Sequence, residues 1–369
     1  MRQALLVGGH ADRYVARLYA ASYLTAFLLI VGLFLILDLS TNLDEYVKPA
    51  ADGSSPPGTL VLRYYLLHVP FLYLQVAPFV ALVAGLFSVS RLLKDNELVA
   101  ALGAGVSAQR VLAPILCGGL LLAAGMFTLR QWAAERLSFE RDLVRDALVE
   151  RRAAPEYENV WLKDRAGSTV RLGRLRLGGG GEAAEVGDLW ALVSSGGTWI
   201  SLRAERARWD ARAELWRLEG GQREVVSSFE QRTEPLPSLT EVRFTPYDAW
   251  LAQRGRDAPL DLSFGQARDL AERDPDNKNF QTLLHYHLTF PLANLVLLLV
   301  GLPFLLRFER SRGLEGVVVG FLLCLFYYGA DFVCRSLGME GQLSPLLACW
   351  LPLLFFGSLG VVLYGSARS

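Results

Sequence analysis

Six runs of about 20 predominantly apolar residues, each long enough to cross a hydrocarbon core as an α-helix, constrain this chain more than any other feature. They lie near 15–38, 60–90, 111–132, 283–306, 314–336 and 344–365, three on each side of a polar stretch. Lipid offers the backbone no hydrogen-bond partner, so the runs predict helices and exclude open strands. From about Ala133 to Asn279 the chain holds most of its Arg, Glu and Asp. With 52% hydrophobic and 20% charged residues, it reads as membrane, soluble domain, membrane. The formal net charge of zero says nothing about an acidic or basic partner, because in a membrane protein the distribution across the two faces matters more than the sum, and no nucleic-acid footprint is visible.

The first run follows Arg2, Arg13 and Arg17 but is too long for a signal peptide and precedes no small-residue cleavage site, which predicts a retained helix. A cytoplasmic N-terminus puts Arg91, Lys94, Arg110, Arg307, Arg310 and Arg312 on the inside. On the other side, the turn from Gly338 to Leu343 has no Lys or Arg, and the loop from Ser40 to Thr59 sets Lys48 alone against Asp44, Glu45 and Asp52. The positive-inside rule then predicts cytoplasmic termini and a polar domain outside the cytoplasm.

Between about Asn159 and Phe244 the pattern is of short strands, with Ile200, Leu202 and Ala204 on one face and Ser201, Arg203 and Glu205 on the other. Asp164 to Gly167, Gly178 to Gly181 and Glu219 to Gly221 punctuate them as turns, which predicts an antiparallel sandwich or jellyroll. The run Gly178 to Gly181 lacks the Lys-Ser/Thr of a phosphate loop. Ser263 predicts the N-cap of a short helix ending near Asp274. Cys117, Cys324, Cys334 and Cys349 all fall in apolar runs, so neither a disulfide framework nor a zinc site is expected. The predicted fold class is an α-helical integral membrane protein with six transmembrane helices (3+3) and an inserted extracytoplasmic all-β, jellyroll-like domain. Its divisions are residues 1–132, 133–282 with helical connectors around the sheet, and 283–369.

Three groups of residues are candidates for function. Arg91, Lys94, Asp95, Asn96 and Glu97 open the loop between the second and third runs, which reads as a short helix over about 91–105. Asp95 or Asn96 would cap it, Leu98, Val99 and Leu102 would form its apolar side, and Gly103 with Gly105 would end it. Such a helix either docks in a partner's groove or lies as a connector on the lipid surface. Second, ionisable residues sit inside the runs: Asp38, Arg63, His68, and Asp331 with Arg335, the last two on one helix face with Tyr327. They are either an ion pair with snorkelling neighbours or a polar rim for a lipid headgroup, with Arg63 and Arg335 meeting its phosphates. Third, His285, Tyr286 and His287 lack the spacing of metal ligands and read as interface anchors, on a run in which Pro291 and Pro303 favour a bend. No P-loop, nucleophile elbow or paired metal-ligand motif is present, so no catalytic residue, metal or cofactor is expected and any energy must come from elsewhere.

The order of three spans, β domain and three spans resembles the LptF/LptG-type (YjgP/YjgQ) lipopolysaccharide export permeases. The likeness rests on Arg91-Leu-Leu-Lys-Asp-Asn-Glu-Leu-Val-Ala-Ala-Leu-Gly-Ala-Gly-Val-Ser and on Leu284-His-Tyr-His-Leu-Thr-Phe-Pro-Leu-Ala-Asn-Leu-Val. Ala207-Arg-Trp-Asp with Leu215-Trp-Arg-Leu-Glu-Gly-Gly, and Pro345-Leu-Leu-Ala-Cys-Trp-Leu-Pro, add to it. The resemblance implies a transport subunit of the cell inner membrane with a periplasmic β domain. Its implied partners are a second LptF/LptG-type permease subunit, a cytoplasmic LptB-type ATPase dimer, a periplasmic LptC/LptA-type bridge protein and lipopolysaccharide or a related lipid. Glu97 falls where the family has an acidic residue that meets the ATPase, and the first and fifth spans would be lateral gates. Where many relatives carry Lys or Arg near the outer end of the first span, this chain has Asp38, Asp44 and Glu45, with Lys48 nearby; Tyr286 and His287 replace the basic residue often seen after the position of His285. Two other classes compete with this reading. One is a membrane scaffold or sensor whose β domain binds an envelope component, which would need no docking helix. The other is a membrane enzyme using Asp331 or His68 as a base, which would need a second polar group in reach.

Overall fold

A computed structural model describes residues 9–47, 58–149, 155–178, 183–195, 198–226, 231–307 and 313–366. Lys48, Arg310, Arg312 and most of the glycine run at 178–181 lie outside them. Six helices are long and apolar enough to cross a membrane: α1 (His10–Val47), α2 (Gly58–Lys94), α4 (Ala108–Arg136), α8 (Lys278–Arg307), α9 (Gly313–Met339) and α10 (Pro345–Ser366). Between them come α3 (Glu97–Gly103), α5 (Ser138–Val149), strands β1 (Glu156–Lys163), β2 (Thr169–Arg176), β3 (Glu185–Ser195), β4 (Thr198–Asp210), β5 (Leu215–Glu219), β6 (Gln222–Val226), β7 (Gln231–Pro235) and β8 (Ser238–Leu239), then α6 (Pro246–Asp257), a 3₁₀ turn Pro259–Asp261 and α7 (Phe264–Arg273). The chain is thus a multi-pass membrane protein with an antiparallel β domain inserted between its helices. Its described residues form two compact units, one from Met1–Leu43, His68–Ala133 and Thr282–Ser369, the other from Asp44–Leu67 and Ala134–Gln281.

In the first unit, helices pack where small residues let them approach, since lipid tails supply no hydrophobic drive between spans. Fully buried Leu298 of α8 shows this: a β-carbon added at Gly85 on α2 or at Gly119 on α4 would stand 2.5 Å from one of its methyls. Val80, Leu82, Leu112, Ile115 and Leu302 complete the centre of that core. Both Pro291 and Pro303 lie within the continuous helix α8. Asn294 lies next to the first of these, where its side-chain amide donates to the Pro291 carbonyl at 2.7 Å.

The second unit is built on one antiparallel network of eight strands rather than two separate sheets, in the order β1-β2-β3-β4-β5-β8. The long β4 (Thr198–Asp210) pairs with β5 at one end and β6 at the other, and β7 extends β6. The alternation of Ile200, Leu202 and Ala204 holds, but Ser201 on the opposite face is also buried, accepting a hydrogen bond from Trp190 Nε1 at 3.2 Å.

Four neighbouring strands share one irregularity. Buried side chains recur every second residue, then skip to the third: Leu172 to Leu175 in β2, Val186 to Leu189 in β3 and Ala204 to Ala207 in β4. In β1 the same step separates Val160 from half-buried Tyr157. The extra outward residues Asn159, Gly173, Asp188 and Glu205 fall between rungs that remain in register. Asn159 and Asp188 take φ of 55° and 53°, a left-handed conformation that short polar side chains tolerate best after glycine. At Gly173 a β-carbon would come within 2.8 Å of that of Asp188. A slip confined to one strand would turn its apolar residues to the wrong face; sharing it keeps one face buried on both sides of the row.

Helices pack on this unit through caps and charge. Thr245 with Asp248 and Ser263 with Gln266 form complete capping boxes at α6 and α7, as expected for Ser263. Arg141 and Asp142 of α5, Arg254 of α6 and Asp261 of the 3₁₀ turn make a four-residue network, with Arg141 2.7 Å from Asp261 and Arg254 bonded to Asp142. Burial alone would lower the pKa of the Arg141 guanidinium, but Asp261 and Asp142 more than offset it and the value lies above the arginine norm. Asp142→Ala, which leaves the Arg254 side chain at 3% exposure without its nearest counterion, is expected to cost about 3–5 kcal/mol, read as a lowered midpoint in thermal unfolding of the purified chain. Gly119→Val, which crowds Leu298, should cost about 1–3 kcal/mol by the same measurement.

Candidate functional site

The five residues Arg91, Lys94, Asp95, Asn96 and Glu97 are all exposed, at the junction of α2 and α3. A turn at Asn96, with φ 63°, separates the two helices. In that left-handed conformation the Asn96 side chain makes no cap bond to α3, against the expectation for Asp95 or Asn96, because capping side chains need an extended backbone. The far end is better secured. Val106 N–H donates to Ala101 C=O and Gly105 N–H to Leu102 C=O, both at 3.0 Å, with Gly105 at φ 82°. This is the Schellman arrangement, and it satisfies carbonyls that the helix end leaves open.

The apolar side of α3 is narrower than predicted. Leu98 is buried and Leu102, four residues on, is half-buried, but Val99 is 44% exposed because it lies about 100° around the helix from Leu98. Glu97 accepts a hydrogen bond from the Tyr14 hydroxyl of α1 at 3.0 Å, and Arg91 lies 3.7 Å from Asp95. Nearby in sequence, Gln109 of α4 and Tyr364 of α10 exchange two hydrogen bonds, Tyr364 Oη to Gln109 C=O at 2.7 Å and Gln109 Nε2 to Tyr364 C=O at 3.0 Å. Tyr14 thus ties the start of α1 to α3, and a separate pair of bonds ties the start of α4 to the end of α10.

The second candidate group divides. Tyr327, Asp331 and Arg335 come together on α9, all turned inward: Tyr327 and Asp331 are buried and the Arg335 side chain is 14% exposed. Arg335 Nε stands 3.7 Å from Asp331, and its guanidinium lies 4.7 Å from the centre of the Tyr286 ring of α8. Arg130 of α4 approaches the same ring at 5.6 Å and hydrogen-bonds its hydroxyl, while Tyr286 stacks on Phe290 with centres 4.9 Å apart. One tyrosine thus joins cations from two other helices, an attraction that grows where water is excluded. Asp38 is half-buried on α1 with its carboxylate accepting from Asn42 Nδ2 at 3.1 Å. Arg63, expected to reach a lipid phosphate, is paired instead with Glu140 of α5 at 2.5 Å, a solvent-exposed contact of small energetic weight. Half-buried His68 stays on α2, and Lys48 is outside the described residues.

Tyr286 and His287, read as interface anchors, are corrected by their burial, 4% and 0% exposed. His287 Nδ1 lies 2.6 Å from Leu283 C=O, and because a carbonyl only accepts, the proton sits on Nδ1. Arg130 and Tyr14 were missed in the sequence. Arg130 carried a signal, a lone cation inside an apolar run. Tyr14 carried none, since its partner is 83 residues away.

Residues 13–366 match the family described as lipopolysaccharide export system permease LptF/LptG. No curated protein matches the chain. Three spanning-length helices on either side of an antiparallel β domain are the architecture expected from the resemblance to that family. With a match that runs nearly from end to end, the chain belongs to the LptF/LptG family of lipopolysaccharide export permeases.

Proposed function

We propose that the chain is one of two permease subunits of an ATP-driven exporter that draws lipopolysaccharide, or a large amphiphile like it, from the inner membrane and passes it to a periplasmic bridge protein. In this reading residues 1–132 and 283–369 are the transmembrane halves, with both termini cytoplasmic, and 133–282 is the periplasmic domain. The observation that carries it is the α2–α3 junction, where charged residues are exposed while α3 is anchored by Leu98 and fastened at its far end. A connector lying on lipid would turn an apolar side outward. Here the exposed residues leading into α3 are Arg91, Lys94, Asp95, Asn96 and Glu97, and Val99 is the one large apolar side chain of α3 left outside, a mainly charged surface suited to the groove of a cytoplasmic ATPase dimer. ATP binding in that partner then moves α3 together with the ends of α2 and α4.

The chain itself makes and breaks no bonds; its part is to open and close a path for lipid. Helices α1 and α9 are the lateral gates, with Asp38 and Lys48 belonging to the first and Tyr327, Asp331 and Arg335 to the second. Leaving α8 removes Arg335 from the Tyr286 ring and frees its planar fork for a lipid phosphate. Arg63 stays a candidate for the headgroup, since its exposed pair with Glu140 costs little to exchange for a lipid phosphate.

Two measurements test the reading. Tagged native chain and a Glu97→Arg variant are purified from detergent, scoring a bound P-loop ATPase and a second permease subunit; the native chain should retain both and the variant lose the ATPase with its melting midpoint unchanged. An ATPase missing from both preparations would sink the exporter. For the gate, Arg335→Ala leaves the Asp331 side chain at 6% exposure without its cation, at a cost of about 3–5 kcal/mol, and should depress lipid-stimulated ATP turnover of the assembled complex more than its basal turnover. Equal loss of both would assign Arg335 to folding alone.

A further inference from the structure

The outward face of the β sheet carries a row of side chains that packing does not require. Cross-strand partners run Trp161 on β1, Arg171 on β2, Trp190 on β3, Arg203 on β4 and Gln222 on β6. Aromatic and cationic groups alternate across four strands, Gln222 ends the row on the fifth, and no carboxylate lies within it. Four steps at about 4.8 Å make the row roughly 19 Å long. Trp161 is 43% exposed, and Trp199, of the same outward parity four residues before Arg203, is 52% exposed. Large aromatics are normally withdrawn from water, and where they stay out beside arginine they mark recognition surfaces.

The row is ordered before anything binds. Trp161 and Trp190 meet edge to face at 6.3 Å, Arg171 lies 6.0 Å from the Trp161 ring, and Trp190 Nε1 is held by Ser201. Arg171 is also positioned by Asn159 Oδ1 at 3.0 Å and lies 3.7 Å from the exposed Asp188 carboxylate, a contact that an anionic ligand would replace, whereas Arg203 is exposed to solvent. At the β1 end, Trp161 forms one wall of a cavity of about 440 Å³ that Thr169, Arg256, Asn277, Asn279 and the Lys163–Asp274 and Arg273–Asp248 ion pairs also line. Inside the domain, Asn279 Oδ1 is buried with no hydrogen-bond partner among the described residues, an acceptor without a donor. Unsatisfied buried acceptors are uncommon, and a ligand hydroxyl would complete this one.

We infer that the Trp161–Arg171–Trp190–Arg203 row and the adjoining cavity bind an acidic oligosaccharide, with sugar faces on the indoles, anionic substituents on the arginines and one terminal residue in the cavity. A flat aromatic surface takes the apolar face of a sugar ring, and the planar guanidinium takes a phosphate or carboxylate through two parallel hydrogen bonds. Insertion into a membrane suits this face less, because the rows beside it present Lys163, Thr169, Ser201 and Glu224 with Leu192 as the single aliphatic side chain on one side, and Asn159, Asp188 and Glu205 on the other. The inference stands apart from the ATPase reading, since it concerns a face of the β domain and needs no nucleotide.

The test is calorimetric titration of the purified full-length chain in detergent with a short sulfated dextran oligosaccharide. Neutral dextran of the same length, inorganic pyrophosphate and phosphatidylglycerol vesicles are run beside it. The sulfated oligosaccharide should bind about tenfold more tightly than the neutral one, and Trp161→Ala and Arg203→Ala should each weaken it about tenfold while circular dichroism stays unchanged. Trp161→Phe, which keeps an aromatic face, should preserve most of the binding. Pyrophosphate binding as tightly as the oligosaccharide would reduce the site to a simple anion hole. Vesicle binding without oligosaccharide binding would make it a membrane contact, and no binding at all would leave the row a structural ladder; each of these overturns the inference.

Discussion

Backbone hydrogen bonding in a medium that offers no partner governs how this chain is built. Inside lipid each N–H and C=O must be met within its own helix, so the spans run unbroken over 22 to 38 residues, even through Pro70, Pro78, Pro114, Pro291, Pro303 and Pro352. The abrupt changes of direction fall elsewhere. Asn96 and Gly105 take left-handed conformations on either side of α3, outside the apolar runs, where water can meet the groups a turn leaves open. The same constraint explains how polar groups are treated inside the bundle. Asn294 is turned to a backbone carbonyl, His287 to another, and Arg335 to a carboxylate and an aromatic face.

Charge is therefore used in two ways. At the α2–α3 junction it is displayed, carried by exposed side chains ahead of a short helix whose own position is fixed by a buried leucine and a backbone cap. On α9 it is enclosed, with Arg335 beside Asp331 of the same helix and over the Tyr286 ring of α8, which Arg130 of α4 also approaches. A device that converts movement at one end of a bundle into opening along its side needs both kinds: a handle that a partner can grip, and contacts that hold only while the bundle is closed.

How much of this could be read from sequence follows from the range of each interaction. The spans were legible because helix length is fixed by bilayer thickness, and Ser263 because a capping box is closed within four residues. The apolar alternation at Ile200, Leu202 and Ala204 was legible too. The slip that follows was not, because in a single strand it looks like noise and becomes a pattern only when four strands are set side by side. Asn96 misled because its residue type suits a cap while its backbone does not. Tyr286 misled because an aromatic at a span's end commonly marks the interface, whereas here arginines from two other helices draw it inward. Arg63 and Glu140, 77 residues apart, could not have been paired from pattern at all.

The shared slip in β1 to β4 has a consequence for how such a domain changes over evolutionary time. Losing Gly173 alone would leave β2 half a pleat out of step with β1 and β3, sending Leu175 and Leu177 to the wet side while Val186 and Ala207 stayed on the dry one. A matched loss in the neighbouring strands would restore every pairing. Strand length in this sheet is thus inherited as a set: insertions and deletions at Asn159, Gly173, Asp188 and Glu205 are viable together and damaging singly, so related chains should differ in length there in concert or not at all.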